Sequence, residues 1–133
     1  DLLSRHPIFA PLPSATLEHL AGRLVLETAA TGETIVRLGD DGARFYLIES
    51  GTVEADAGQG PVVLEEGDGF GEIALLRDVP RTATVTARAP VRLLALERHD
   101  FLGAVTQDAR STGAADALVA GRLGRVGPGV SPA

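Results

Sequence analysis

Between Gly69 and Val85 one short stretch brings together paired glycines, a carboxylate and an arginine. It reads Phe70–Gly71–Glu72–Ile73–Ala74–Leu75–Leu76, then Pro80–Arg81–Thr82–Ala83–Thr84–Val85. Gly69 and Gly71 flank Phe70, so the backbone can turn sharply there and a ligand can approach without meeting a Cβ. Glu72–Leu76 consists mostly of good helix formers, enough for about one to two turns. The first N–H groups of such a turn lack partners inside the helix and, with the helix dipole, favour an anion. Arg81 adds a fixed positive charge and a planar fork that bonds two phosphate oxygens at once. Glu72 only accepts, which suits a pair of sugar hydroxyls. These are the parts of a buried sugar-phosphate site. The same two charges also fit a surface ion pair worth about 0–1 kcal/mol, and residue types alone leave both readings open.

The elements that must hold these groups read as strands on either side of a short helix. Pro80 ends the helix, and Thr82–Arg88 then alternates, with Ala83, Val85 and Ala87 on one face and threonines on the other. Val91–Glu97 follows as a further strand. Before the helix, Val25–Thr28, Thr34–Arg37, Phe45–Glu49, Thr52–Asp56 and Val62–Glu65 are strand candidates. Nine of the sixteen glycines fall between Gly32 and Gly71, and none between Glu72 and Leu102, so turns concentrate where these short strands meet. The pattern predicts a mainly β fold with flanking helices, an antiparallel β-roll or jelly-roll barrel. Ser14 is placed to cap a helix over Ala15–Leu24, and Arg98–Thr106 and Thr112–Leu123 are C-terminal helices. Glycines inside the last of these weaken it by roughly 1 kcal/mol each, so it must rely on packing and is expected to move.

Composition limits the function classes. Hydrophobic residues make up 44% and charged residues 23% of 133, as in an ordinary single domain. Cysteine is absent, which excludes disulfides and thiolate metal sites. The net charge of −6, without a basic stripe, argues against direct nucleic-acid contact. No apolar run is long enough to span a bilayer, so no membrane contact by the domain itself is expected, and a cytoplasmic location fits. Residues 1–124 read as the domain and residues 125–133, rich in Gly and Pro, as a flexible tail or linker within a longer protein.

No reaction suggests itself. A metal-binding β-barrel would need clustered histidines and a carboxylate, whereas His6, His19 and His99 are scattered and read as solvated or capping groups. Asp40–Asp41–Gly42 and Glu65–Glu66–Gly67–Asp68 lack the ligand spacing of a calcium loop. No nucleophile stands out, so neither catalysis nor a cofactor is expected. Arg37, Arg44, Arg77 and Arg88 read as solvated, while Phe70, Leu76 and Val85 read as core.

The ungapped segment Phe70–Val85 resembles the phosphate-binding cassette of the cyclic nucleotide-binding domain family: F-G-E, an aliphatic, A-L, then P-R-x-A-x-V. Gly32–Val36, Gly39–Asp40 and Phe45–Glu54 resemble that family's first β-roll strands, and His6–Leu12 resembles its N-terminal helical segment. The resemblance covers about residues 1–124. It implies a regulatory domain that binds cyclic AMP or cyclic GMP and acts on a covalently linked effector, such as a transporter, channel, kinase or DNA-binding domain. It also implies the ligand-binding residues. Arg81 grips the cyclic phosphate, Glu72 accepts from the ribose 2′-OH, and N–H groups near Ala74 and Ala83 complete the cradle. Thr82 offers a hydroxyl to phosphate or base, Gly71 lets the backbone approach, and Phe70 and Ile73 belong to the same ligand-binding set. Val62–Leu64 with Leu118, Val119 and Leu123 would cover the purine, and the C-terminal helix would fold down over it. A threonine after the arginine accompanies cyclic GMP in related eukaryotic kinases and cyclic AMP elsewhere. Cyclic AMP is favoured here, because this Ala-, Gly- and Arg-rich chain looks closer to the family's bacterial members. Two other roles stay open, a ligand-free structural or dimerisation module and the sensor half of a catabolite-activator-type (Crp/Fnr) transcription regulator, and a homodimer is compatible with each.

Overall fold

Alternating burial along the strands sets the architecture, since successive side chains of a strand point to opposite faces. The computed structural model describes residues 2–106, with Gly113, Ala117 and Leu118 as further helical positions. Strands β1 (Val25–Ala29), β3 (Arg44–Ser50), β6 (Gly69–Phe70) and β8 (Val91–Glu97) form one antiparallel sheet in the order β1-β8-β3-β6. Strands β2 (Thr34–Val36), β4 (Val53–Asp56), β5 (Pro61–Leu64) and β7 (Thr84–Ala87) form the other, in the order β2-β7-β4-β5. Helices α1 (Leu2–Arg5), α2 (Ser14–Ala21), α3 (Glu72–Arg77) and α4 (Arg98–Thr106) complete the described residues. This is the expected β-roll with flanking helices.

Two apolar cores result. The roll interior collects Tyr46, Ile48, Val53, Ala55, Leu64, Phe70, Ala83, Val85, Leu93 and Ala95, among others. The second core lies on the helical side and joins Leu3, Phe9, Leu20, Phe45, Leu47, Leu75, Leu96 and Phe101. Neighbouring residues of β3 therefore serve different cores, Phe45 and Leu47 the helical one, Tyr46 and Ile48 the roll. The rings of Phe45 and Phe101 stack at 5.1 Å and 17°, and each fully buried Phe contributes about 1.5–3 kcal/mol by leaving water.

Several boundaries differ from the sequence reading, each for a local reason. Pro13, extended at φ −60° and ψ 151°, takes the N-cap position of α2, so Ser14 is the first helical residue and makes no side-chain cap. That helix stops at Ala21, where the Gly22 N–H bonds back to the Glu18 carbonyl at 3.2 Å and the Arg23 N–H to the Leu20 carbonyl at 2.9 Å. Strand β7 begins at Thr84 rather than Thr82. The Arg81 N–H instead bonds the Asp40 carbonyl at 2.8 Å, and the Arg81 carbonyl accepts from Gly39 at 2.9 Å. These bonds draw the chain out of the sheet just before the strand. Gly69–Phe70, read as a turn, is itself the short strand β6, with Phe70 opposite Tyr46. The predicted helix Arg98–Thr106 is present as α4. Most of the predicted helix Thr112–Leu123, and all of the tail 125–133, lie outside the described residues. Leu118, which is described, packs against the helical-side core, whereas Val62 and Leu64 belong to the roll interior. Leu118 and the Val62–Leu64 strand are therefore on different cores, while Val119 and Leu123 lie outside the described residues.

Candidate functional site

The cassette is shaped first by Gly71. Its φ of +101° and ψ of −8° start α3 from a left-handed backbone position that side chains rarely adopt. From this turn Glu72, Ile73, Ala74 and Leu75 all point inward, and the Glu72 side chain is 0% exposed. Phe70 and Ile73 are buried as supports. The six-residue α3 ends at Asp78, itself left-handed at φ 52°, whose carboxylate pairs with Arg98 of α4 at 2.6 Å. The polar bulge expected at Arg77–Asp78 thus ties the cassette to the next helix through an exposed ion pair.

Arg81 lies only 4% exposed. Its Nη2 donates to the Arg44 carbonyl at 2.8 Å and its Nη1 to the Gly71 carbonyl at 3.3 Å. Those two bonds use only part of the five N–H donors that a guanidinium carries. The guanidinium carbon stands 5.9 Å from the centre of the Tyr46 ring. Burial pulls this cation below its ordinary value, and Tyr46 works against that fall. Because Glu72 and Arg81 are both buried, the surface ion-pair reading of the two charges does not hold. A cation sunk this deeply is unfavourable unless its surroundings compensate it, and here the Arg44 and Gly71 carbonyls and the Tyr46 ring do so in part.

Thr82 carries a further signature. Its hydroxyl oxygen is buried and has no hydrogen-bond partner among the described residues. Leaving such a group unsatisfied costs about 1–3 kcal/mol. Ala83 beside it is fully buried. Gly42 closes the site from the other side. A Cβ there would come within 2.8 Å of the Ala74 Cβ and 3.3 Å of the Arg81 Cζ, so only glycine lets this loop lie against the cassette. A cavity of about 350 Å³ opens beside Arg81, lined also by Ile35, Val36, Tyr46, Arg44 and the Asp40–Asp41 turn. The structure thus brings Phe70, Gly71, Glu72, Ile73, Ala74, Arg81, Thr82 and Ala83 into one neighbourhood.

Three contributors were not legible as site residues. Arg44, read as solvated, supplies the carbonyl that holds Arg81, and its own side chain bonds Glu27 of β1 and, at 3.1 Å, Glu97 of β8. Burial lowers the basicity of Arg44, but the charges of Glu27 and Glu97 more than reverse it. Tyr46 and Gly42 complete the set. All three become neighbours of Arg81 only through strand pairing and loop packing, for which no local sequence signal exists.

The histidines divide. His6 is a core ring rather than a solvated one, its Nδ1 accepting from the Ile8 N–H at 3.3 Å and its ring against Phe9 and Phe45. His19 and His99 line one groove between α2 and α4. No group of three or more potential metal ligands occurs among the described residues. No helix among them is long and apolar enough to cross a membrane.

The profile of the cyclic nucleotide-binding domain family matches residues 26–108. The chain belongs to this family. The domain is 39% identical over 102 residues to the cAMP-dependent protein kinase regulatory subunit of Yarrowia lipolytica, a match covering 74% of this chain and 27% of that one. It is 38% identical over 101 residues to a cyclic nucleotide-gated potassium channel of Mesorhizobium japonicum, covering 76% and 28%. Among solved structures it resembles the sensor domain of the transcriptional regulator DNR from Pseudomonas aeruginosa. That likeness has a TM-score of 0.79 and 27% identity, and covers 92% of this chain and 91% of that one. The domain spans little more than a quarter of the length of these two curated relatives.

Proposed function

We propose that this domain binds a cyclic nucleotide reversibly, cyclic AMP in preference to cyclic GMP, and passes the bound state to a linked effector without catalysing a reaction. The observation that carries the reading is the buried Arg81 fork, fixed by two backbone carbonyls beside the left-handed Gly71. A small anion is the natural complement of a desolvated cation with donors to spare. In this reading Arg81 takes two oxygens of the cyclic phosphate. Glu72 accepts from the ribose 2′-OH, and the N–H groups near Ala74 and Ala83 close the cradle. The buried Thr82 hydroxyl gains the partner it otherwise lacks. Roll residues such as Ala55, Val62 and Leu64 supply an apolar wall for the base.

The relatives support the nucleotide class through their names, two of which specify a cyclic nucleotide, and one of these cyclic AMP. They belong to a kinase, a channel and a transcription regulator, so the reading commits to a linked effector and not to its kind. The test is calorimetric titration with cyclic AMP and cyclic GMP, after unfolding and refolding to strip carried-over ligand. Micromolar or tighter binding, stronger for cyclic AMP, is the expected result. Absence of heat and of any thermal shift with both would overturn the reading in favour of a ligand-free module.

A further inference from the structure

Tyr46 lies outside the cassette in sequence, yet strand pairing places it against the cassette. It stands opposite Phe70 in the β3–β6 register, and the two rings stack at 5.0 Å and 19°. The same ring lies under the Arg81 guanidinium at 5.9 Å, inside the roughly 6 Å reach of a cation–π contact. Tyr46 is buried, and such contacts are strongest where water is excluded. The carbonyls of Arg44 and Gly71 hold the two terminal nitrogens of the fork. Two such points leave the guanidinium plane free to tilt about the line joining them. A rigid ring face beneath the plane removes that freedom.

We infer that Tyr46 is the positioning residue for Arg81, its ring setting the tilt of the guanidinium so that the fork meets a phosphate in plane. The ring face does this work, not the hydroxyl. The tyrosine is itself locked from the side by Phe70, so the sequence Phe70–Gly71 contributes to the arginine's aim as well as to the turn. The affinity consequence rests on the cyclic nucleotide reading proposed above; the orientation of Arg81 does not.

The experiment compares Tyr46→Phe, Tyr46→Leu and Leu47→Val with the wild-type chain. Leu47 lies in the helical-side core, not in the roll core that holds Tyr46, and serves as a destabilised control. Cyclic AMP should bind Tyr46→Phe within about twofold of wild type and Tyr46→Leu roughly tenfold more weakly. Leu47→Val should lose thermal stability and keep its affinity. Separately, without nucleotide, the Arg81 Nε–H resonance, assigned by its loss in Arg81→Lys, should be sharp and slow to exchange in wild type and Tyr46→Phe. In Tyr46→Leu it should broaden. Wild-type affinity in Tyr46→Leu, weakening that simply tracks stability as in Leu47→Val, or an unchanged Arg81 resonance would overturn the proposal. If the wild-type chain binds no cyclic nucleotide, the functional reading fails and the resonance alone decides the role of Tyr46. Should Tyr46→Leu not fold, Tyr46→Met removes the ring at similar volume and is read in the same way.

Discussion

Replacing Gly71 by alanine tests how closely the turn and the arginine are joined. The residue sits at φ +101°, where an added Cβ is strained by about 1–3 kcal/mol whatever surrounds it. The surroundings add a second effect. The Cβ would stand 2.7 Å from the Arg81 Nη1 and 2.8 Å from the Arg44 carbonyl oxygen. The arginine tip can swing away, but the carbonyl cannot, because Arg44 is paired with Glu97 in the β3–β8 ladder. Moving the tip breaks its bond to the Gly71 carbonyl, and a hydrogen bond from a charged donor contributes about 1.5–3 kcal/mol. Gly67 separates the two effects, since it has φ +90° and nothing within 4 Å of its would-be Cβ. In urea unfolding followed by circular dichroism, Gly67→Ala should lose only the backbone strain and bind cyclic nucleotide normally. Gly71→Ala should lose about 1.5–3 kcal/mol more than that and bind poorly. Equal destabilisation of the two variants, or normal binding by Gly71→Ala, would refute this account of the cassette.

Other substitutions follow from the same geometry. Arg81→Ala should abolish measurable cyclic nucleotide binding, a loss of several kcal/mol, while its circular dichroism stays native; near-wild-type affinity would remove Arg81 from the site. Glu72→Gln keeps the shape and removes the charge. It should weaken cyclic AMP by about 1.5–3 kcal/mol, yet leave 2′-deoxy cyclic AMP binding as it does to the wild-type chain, and an equal loss for both ligands would contradict the ribose contact. Tyr46 gives a pH prediction. Burial first, and Glu27 second, raise its phenol above the ordinary 10.0, so the folded chain holds this proton more tightly than the unfolded one. That contribution to stability is complete below pH 10 and is lost as pH rises through the folded value. The chain has one tyrosine and no tryptophan, so alkaline titration of the phenolate absorbance reads this group alone. A native-state titration at the ordinary phenol value would contradict it.

Much of the roll could be read from the chain because its strands obey a period of two. Ala83, Val85 and Ala87 are all buried, as their alternation with threonines implied. The aliphatic run Val91–Glu97 coincides with β8 for the same reason, and the helix beginning at Arg98 is present as α4. What escaped was whatever depends on distant partners. The strand Gly69–Phe70 is too short to show any period. Burial of Glu72 and Arg81 could not be distinguished from surface pairing, because exposure is decided by the sheets that close around them. Arg44 looked solvated because its acceptors, Glu27 and Glu97, are brought to it only by the β1-β8-β3 order. The Ser14 cap failed because Pro13 already held the extended conformation that a cap needs.

The two-faced burial of β3 has a mechanical meaning. Tyr46 lies against the buried Arg81 guanidinium on one side of the sheet, and Phe45, one peptide plane away, is wedged between Phe9 and Phe101 on the other. A close-packed interior does not absorb displacement locally. A rotation of the strand that lifts the tyrosine must therefore press the phenylalanine into the helices. The two sides of the roll are thus coupled through the thickness of one strand, and the far side is the face that carries α4.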